Sequence, residues 1–220
     1  VTILSLVMSI TVFVALQSFT GVLDASSSVQ DMYFSDYAVT NETVGIPSEA
    51  VKTLTENDAV ESVSTTRLSV FMPGAGDILP FETDLSVQSH ETLQLVNVDE
   101  AQLQIYAPNL SAQDKQALKD GTGCLVKNPI AFSYGDTTVQ QTDLTVGDTI
   151  QLGDRTLRVL GLIDTAITIN NDGFTNGVQL IVNDEIYCLL LGNDSYSEVY
   201  PTLQDNADTD TFESWLDSWC

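Results

Sequence analysis

The segment LTVGDTIQLGDRTLRVLGLI, from Leu144 to Ile163, has the clearest strand pattern in the chain. Apolar and polar residues alternate on both sides of the pair Gly153-Asp154, and the alternating apolar residues are Ile150, Leu152, Leu157 and Val159. Two alternating runs joined by a Gly-Asp pair are typical of a β-hairpin. We therefore expect a hairpin here, within a β-rich middle region of the chain.

On the carboxyl side of this hairpin, the pattern predicts strand, helix, strand and helix. The strands are expected at 178–182 and 198–203, and the helices at 184–191 and 208–220. Asn183 is suited to cap the first helix and Gly192 to end it. Pro201 suggests that its strand lies at a sheet edge, because proline has no N–H to donate. The last helix has one apolar face, formed by Phe212, Trp215, Leu216 and Trp219.

On the amino side, strands and helices are also predicted in alternation. The strands are expected at 35–43, 60–72, 93–98 and 123–127, and the helices at 47–54, 99–106 and 111–120. Pro47 suits the first position of its helix, and Ser111 with Asp114 forms a capping-box pattern. The loop 73–90 contains glycines, prolines and acids, and it marks a candidate domain boundary.

The amino terminus, Val1–Phe19, contains no charge, no proline and no glycine. At about 1.5 Å per residue, a helix over residues 1–23 nearly spans a hydrocarbon core of about 30 Å. We favour a membrane helix that continues as a stalk towards Tyr33, over a signal peptide or a buried core helix. Because no initiating Met is present, we expect that upstream sequence was removed.

The charge balance of the chain is strongly acidic. Seven Lys and Arg stand against 31 Asp and Glu, for a formal net charge of −24 over 220 residues. This argues against nucleic-acid binding, which needs a basic face, and against docking on an anionic membrane through a basic patch. No base precedes Lys52 or follows Arg158, which favours an exported domain because basic residues are depleted on the outer side of membranes.

The predicted order of elements indicates an α+β fold. A long amino-terminal helix is followed by a β-α-β unit, a mostly β middle and a returning β-α unit. This is the pattern of a split α+β sandwich with a small β-rich part inserted into it. The second half lacks a final strand, so we expect the carboxyl end to be truncated as well.

In this order of elements, the chain resembles the extracytoplasmic domain of ABC-transporter permeases of the FtsX/MacB type. The segment VALQSFTGVLDASSSVQ resembles the end of that family's first transmembrane helix. The hairpin matches the family's pattern at Val146-Gly147-Asp148, Gly153-Asp154 and Val159–Leu162. The stretches VQLIVNDEIYCLLLG and VYPTLQDNADTDTFESWL resemble the elements that follow in the family.

The resemblance implies four segments. Residues 1–28 are the end of the first transmembrane helix and its stalk, and 29–90 are the first half of a porter-like subdomain. Residues 91–192 are the inserted β-rich subdomain, and 193–220 are the second, truncated half of the porter-like subdomain.

The resemblance also implies partners and a location. The partners are a cytoplasmic ABC ATPase, a second permease copy, the lipid bilayer through residues 1–23, and an unidentified lipid, peptide or antibiotic substrate. The domain would stand on the extracytoplasmic side of a bacterial cell membrane. It would couple ATP hydrolysis to export, extraction or signalling, without catalysis of its own.

The residues themselves indicate no catalytic, cofactor-binding or metal site. His90 is the single histidine, and Cys124, Cys188 and Cys220 have no zinc-ligand spacing. The acidic run of Asp205, Asp208, Asp210 and Glu213 lacks the glycine of a calcium loop, so an acidic helix start is the simpler interpretation. A loose surface calcium site is the alternative.

Three further points stay open at this stage. Cys124 and Cys188 are expected to be buried free thiols, with a disulfide as the alternative. Trp215 and Trp219 are expected to pack on the core, with a lipid or protein contact as the alternative. A membrane-anchored adhesion or binding module is the main competing function, and an anchored hydrolase is a weaker one because no nucleophile motif is present.

Overall fold

The computed structural model describes residues 35–41, 45–87, 92–128, 131–132, 139–167 and 177–219. The predicted membrane helix, its stalk, His90 and Cys220 lie outside these residues. Within them, no helix is both long enough and apolar enough to cross a membrane.

The described residues form ten strands and five helices. In chain order these are β1 (Val39–Thr40), α1 (Ser48–Thr55), β2 (Val60–Phe71), β3 (Thr92–Val98), α2 (Glu100–Tyr106), α3 (Ala112–Lys119), β4 (Gly123–Lys127), β5 (Ala131–Phe132), β6 (Val139–Gln140), β7 (Thr149–Leu152), β8 (Arg155–Ile163), β9 (Gly177–Ile181), α4 (Asp184–Leu191), β10 (Glu198–Leu203) and α5 (Thr209–Trp219). A single 3-10 turn, Pro73–Ala75, follows β2.

Three local signals in the sequence are confirmed at the ends of the elements, whereas Pro47 is the residue before α1 and not its first residue. The Ser111 side chain accepts a hydrogen bond from the Asp114 N–H at the start of α3, and Asn183 accepts one from the Ile186 N–H at the start of α4. Gly192 ends α4 in the left-handed conformation, with φ of 63°. In the hairpin, Leu152 pairs with Arg155, so Gly153 and Asp154 are the two turn residues.

Eight strands form one mixed sheet in the order β1-β10-β2-β3-β9-β4-β8-β7, and β5 and β6 form a separate pair. This sheet and the five helices confirm the α+β class. Strand β10 runs antiparallel to both β1 and β2, so β1 and β2 are parallel and α1 is the crossover between them. The returning strand thus lies inside the β-α-β unit that begins the described chain.

The prediction that Pro201 marks an edge strand is wrong, because β10 lies between β1 and β2. Strand β1 pairs only with Glu198 and Val199. Pro201 lies beyond this short ladder, and its carbonyl accepts a hydrogen bond from the Tyr37 N–H at 3.3 Å. The sheet therefore tolerates the missing N–H of the proline although β10 is not at its edge.

Alternating side chains divide the core between the two faces of this sheet. We call the face with Cys124 and Val126 the front face, and the one with Leu125 and Lys127 the back face. Two apolar clusters lie on the front face, one under α4 around Leu95 and Leu180, the other under α1 and α5 around Leu54 and Phe212. A third cluster, around Leu103 and Leu125, packs between the back face and α2 and α3.

The long strand β2 joins the two ends of the sheet. Its first half, from Val60 to Thr66, pairs with β10, and its second half, from Thr66 to Phe71, pairs with β3. Strands of the predicted inserted part (91–192) thus share a sheet with strands of the predicted porter-like part (29–90 and 193–220). The division of the chain into these two parts stays a prediction.

Candidate functional site

A cleft of about 960 Å³ opens on the back face. It lies between the helices α2 and α3, with the loop that joins them, and the strands β4 and β8. Strand β10 also reaches it through Tyr200. The lining residues are Gln102, Ile105, Tyr106, Ala107, Pro108, Asn109, Leu110, Ser111, Asp114, Leu125, Asn128, Leu160, Gly161, Leu162, Ile163, Asp164, Thr165, Ala166 and Tyr200. The cleft is therefore built by both predicted parts of the chain.

One end of the cleft is polar and rests on buried hydrogen bonds. Tyr200 donates its hydroxyl hydrogen to Glu198, a carboxylate with 0% exposure. The Thr66 hydroxyl donates to Gln102 Oε1 at 2.8 Å, and the Gln102 amide donates to the Ser64 hydroxyl at 3.3 Å. These bonds fix the side chains that form the polar end.

Asp99 is a second carboxylate behind this polar end. It accepts hydrogen bonds from the backbone N–H groups of Thr65 and Gln102, both at 2.9 Å, and from the Ser64 hydroxyl. Its position just before α2 makes it the cap of that helix. It therefore holds α2 against strand β2, on which the polar end depends.

The two tyrosines of the polar end keep their protons at neutral pH. Burial raises the pKa of Tyr106, and the Glu198 carboxylate raises it further. Burial also raises the pKa of Tyr200, as does its hydrogen bond to Glu198. The Glu198 carboxyl group therefore lies close enough to both phenols to affect their pKa values.

The opposite wall of the cleft is apolar and is formed by leucines on the loop 107–111, on β4 and on β8. Gly161 lies among them, and a Cβ there would stand 3.3 Å from a methyl group of Leu125 and 3.5 Å from one of Leu110. The glycine therefore leaves space at the cleft floor. Ile105, which is 42% exposed, extends the apolar surface to the rim.

Lys127 lies on the same face as the cleft floor, at the end of β4. Leu125 and Val126 pair with Ile181 and Leu180 of β9, and this register, continued by one residue, places Lys127 opposite Gln179. The lysine is 1% exposed, and its Nζ has no hydrogen-bond partner within the described ranges. Burial lowers the pKa of Lys127 to about 8.

A row of buried glutamines continues across the sheet from Lys127. The Gln179 amide donates to Gln94 Oε1 at 2.7 Å and to the Ile167 carbonyl at 2.8 Å, and its oxygen accepts from the Ile167 N–H at 2.8 Å. The segment after β8 is thus fastened onto the back face by one side chain. The polar atoms of Gln179 have satisfied hydrogen bonds, so its burial costs little.

Arg67 is the main polar link on the front face. It is 2% exposed and lies on β2 between the two apolar clusters of that face. Its guanidinium donates to Asn97 Oδ1 at 3.2 Å, to Asp184 Oδ1, and to the carbonyls of Asp194 and Ser195 at 2.9 and 3.2 Å. The guanidinium carbon also lies 3.7 Å from the centre of the Tyr196 ring.

The acidic run predicted to start the last helix does so. Asp208 accepts hydrogen bonds from the backbone N–H and the hydroxyl of Thr211, at 3.2 and 2.9 Å, and these bonds lower the pKa of Asp208. Glu213 accepts a hydrogen bond from the Tyr37 hydroxyl at 3.0 Å. In the part of the chain that the structure describes, no group of His, Cys, Asp and Glu is arranged for a metal ion.

The predictions for Cys124 and the tryptophans are also confirmed, whereas Cys188 is a free thiol but is less buried than predicted. Cys124 is buried, Cys188 is half-buried, and both are free. Trp215 and Trp219 pack against the front-face cluster under α5. Their rings are stacked with centroids 6.0 Å apart, and Trp215 stacks on Phe212 at 5.7 Å.

Sequence reasoning missed the cleft and the buried polar residues that surround it. Lys127 ends the apolar run GCLV, and Glu198 begins the run EVYPTL, so both were part of ordinary strand patterns. A polar residue at a position that alternation assigns to a buried face is the one signal that could have found them.

The comparisons with known proteins give structural likeness only. No family profile matches the chain, and no curated protein matches it. Among solved structures, it is similar to the extracellular domain of the noncanonic ABC-type transporter YknZ from Gram-positive bacteria, at 11% identity and a TM-score of 0.47, with 79% of each chain covered.

Two further structures are similar at the same level. The periplasmic region of MacB from Actinobacillus actinomycetemcomitans has 11% identity and a TM-score of 0.46, over 81% of this chain and 72% of that one. A domain of a protein described as a permease, from Porphyromonas gingivalis, has 16% identity and a TM-score of 0.42, over 80% and 75%. These are the kind of protein that the sequence resemblance indicates.

Proposed function

We propose that this chain is the extracytoplasmic domain of an ABC-transporter permease of the FtsX/MacB type. It couples ATP hydrolysis in the cytoplasm to export, extraction or signalling outside a bacterial cell membrane. The domain itself is non-catalytic and has a mechanical and binding role. The sequence resemblance supports this proposal through the order of the elements and the hairpin motif.

One observation on the described residues carries the proposal further. Residues near the two ends of the described region meet: the Tyr37 ring lies 5.2 Å from that of Phe212, and the Ser35 hydroxyl donates to the Pro201 carbonyl at 2.6 Å. A domain inserted between two membrane helices needs its two connections on one side. The contact of 35–37 with β10 and α5 meets that need.

The proposal includes the division of the chain and its partners. Residues 1–28 end the first membrane helix, 29–90 and 193–220 form the porter-like subdomain, and 91–192 form the insert. The partners are a cytoplasmic ABC ATPase, a second copy of the permease and the bilayer, with a lipid, peptide or antibiotic as cargo or signal. In this arrangement β10 and α5 complete the β-α-β unit after the insert.

The test uses the full-length protein from its native host. We expect an ABC ATPase to co-purify with it, and further membrane helices to follow residue 220 in the gene. Deletion of residues 29–220 should leave the ATPase folded and bound while export or resistance is lost. A gene with a single membrane span and a wall-anchoring tail, or a deletion without phenotype, would contradict the proposal.

A further inference from the structure

The charges around the cleft are predominantly negative. Asp114 and Asp164 line it, and no Lys or Arg is among the lining residues. Arg158 contacts Asp114 at 3.5 Å, but its side chain is 55% exposed, so water and salt weaken this pair. Glu198 and Asp99 add two carboxylates behind the polar end.

Two of the hydrogen-bond donors at the polar end, those of Tyr200 and Gln102, are already used within the protein. Tyr200 donates to Glu198, and the Gln102 amide donates to the Ser64 hydroxyl. An anionic group placed here would meet carboxylates and engaged donors. An ammonium group would lie near the carboxyl groups of Glu198 and Asp99 and the aromatic rings of Tyr106 and Tyr200, which attract cations.

The size and the apolar wall of the cleft set the rest of the ligand. A volume of about 960 Å³ is at the upper end of what pockets for drug-sized ligands have, about 300–1,000 Å³. Leu110, Leu125 and Leu160, which belong to one apolar cluster, line the cleft away from the polar end. A ligand that uses both ends must be amphiphilic.

We propose that this cleft binds a small cationic amphiphile, with its ammonium group at the Tyr106–Tyr200 end and its apolar body along the leucines. The site belongs to a single copy of the chain, unlike a groove between two permease copies. That the bound compound is the cargo or signal of a permease rests on the proposed function. The binding itself does not.

The strongest competing ligand is an anionic amphiphile that would pair with Lys127. The buried amine of this lysine lies on the back face, two residues beyond Leu125 on the same strand, and would suit the carboxylate of an anionic amphiphile. The amine is enclosed, however, and does not line the cleft. An anion could reach it only if the cleft floor moved.

The test measures binding to the whole 220-residue chain in phosphatidylcholine nanodiscs, with empty discs as the blank. Octyltrimethylammonium is titrated by calorimetry against octanoate, which has a similar apolar tail and the opposite charge. We expect saturable binding of the ammonium compound at one site per chain and none of octanoate. Tetramethylammonium, which lacks the tail, should bind more weakly because it leaves the apolar wall unused.

Variants locate the site. The double variant Asp114→Asn/Asp164→Asn should weaken binding of octyltrimethylammonium about tenfold, since tenfold is about 1.4 kcal/mol and each carboxylate contributes about half of it. The control, Glu61→Gln/Asp217→Asn, removes the same charge from exposed positions outside the cleft and should leave the affinity unchanged. Equal losses in both double variants, no loss in either, or no binding of octyltrimethylammonium at all would overturn the proposal.

The proposal would also be overturned if octanoate bound and the variant Lys127→Met abolished this binding, because the ligand of the cleft would then be an anion. Because the assay contains no ATPase, its outcome is independent of the proposed function. Ligand binding by a chain that has no ATPase partner would support the proposed site and contradict the proposed permease function. An ATPase partner without binding would do the reverse.

Discussion

Lys127 is buried on the back face of the sheet, with 1% of the residue exposed. Its amine has no hydrogen-bond partner within the described ranges. A charged amine loses its hydration there, which is why burial lowers its pKa from 10.5 to about 8. Below pH 8 the lysine is protonated in both the folded and unfolded chain, and the folded state bears the full cost. Between pH 8 and 10.5 the unfolded chain binds more protons, so this residue makes stability rise with pH.

We therefore expect Lys127→Met to raise the free energy of unfolding at pH 7 by about 3 kcal/mol, because folding lowers the pKa of Lys127 from 10.5 to about 8. The gain should shrink above pH 8 and disappear near pH 10.5. Urea unfolding of the wild type and the variant at several pH values measures it. Lys52→Met, at an exposed position, is the control and should show no such gain. A difference that does not depend on pH would contradict the assignment.

The two described cysteines differ in how far their thiols can react. Burial raises the pKa of Cys124 to about 12, and burial also raises that of the half-buried Cys188. Because the thiolate is the reactive form, iodoacetamide at pH 8 should label Cys188 slowly and Cys124 only after unfolding. Mass spectrometry of peptides measures both sites separately. A peptide in which Cys124 and Cys188 are joined by a disulfide would contradict the free thiols.

At the scale of the elements, Gly177 decides how closely β9 and β3 approach. Its φ is +140°, and a Cβ there would lie 2.2 Å from the Thr92 carbonyl oxygen. Gly177→Ala combines backbone strain with a clash against backbone. It should therefore lower the free energy of unfolding by about 4 kcal/mol, the sum of two contributions of about 1–3 kcal/mol each.

Gly147 offers the matched control for this change. Its φ is +102°, but a Cβ there would meet nothing within 4 Å. Gly147→Ala therefore carries the strain without the clash and should cost about 1–2 kcal/mol. Thermal unfolding of the two variants compares them, and equal losses would mean that the contact with Thr92 does not limit the packing of β9 on β3.

The ends of the helices could be predicted from the sequence, whereas the order of the strands in the sheet could not. Ser111, Asn183 and Gly192 act within a few residues, so their side chains or conformations are visible in the local pattern. The place of β10 depends on pairing with β1 and β2, more than a hundred residues earlier, and Pro201 indicated the wrong place. The cleft is even less visible in the local pattern, since Tyr106, Leu125 and Tyr200 come to line one cleft only after the sheet has formed.

At the scale of the whole molecule, one sheet joins two sets of helices, and Arg67 crosses the boundary between them. It contacts Asn97 and Asp184 on one side and the backbone of Asp194 and Ser195 on the other. The front-face clusters themselves are separate. On this face the Arg67 guanidinium is a polar group that connects these two ends of the sheet.

Arg67→Met should therefore loosen the whole molecule. Removing a buried guanidinium leaves its acceptors unsatisfied, and the free energy of unfolding should fall by about 3–5 kcal/mol. Hydrogen exchange should accelerate at residues 194–197 and at the start of α4, because both lose their common partner. Arg155→Met is the control: its exposed pair with Glu185, at 3.4 Å, should contribute less than about 1 kcal/mol. Unchanged exchange at 194–197 in Arg67→Met would mean that the continuous strand β2 alone holds the two ends together.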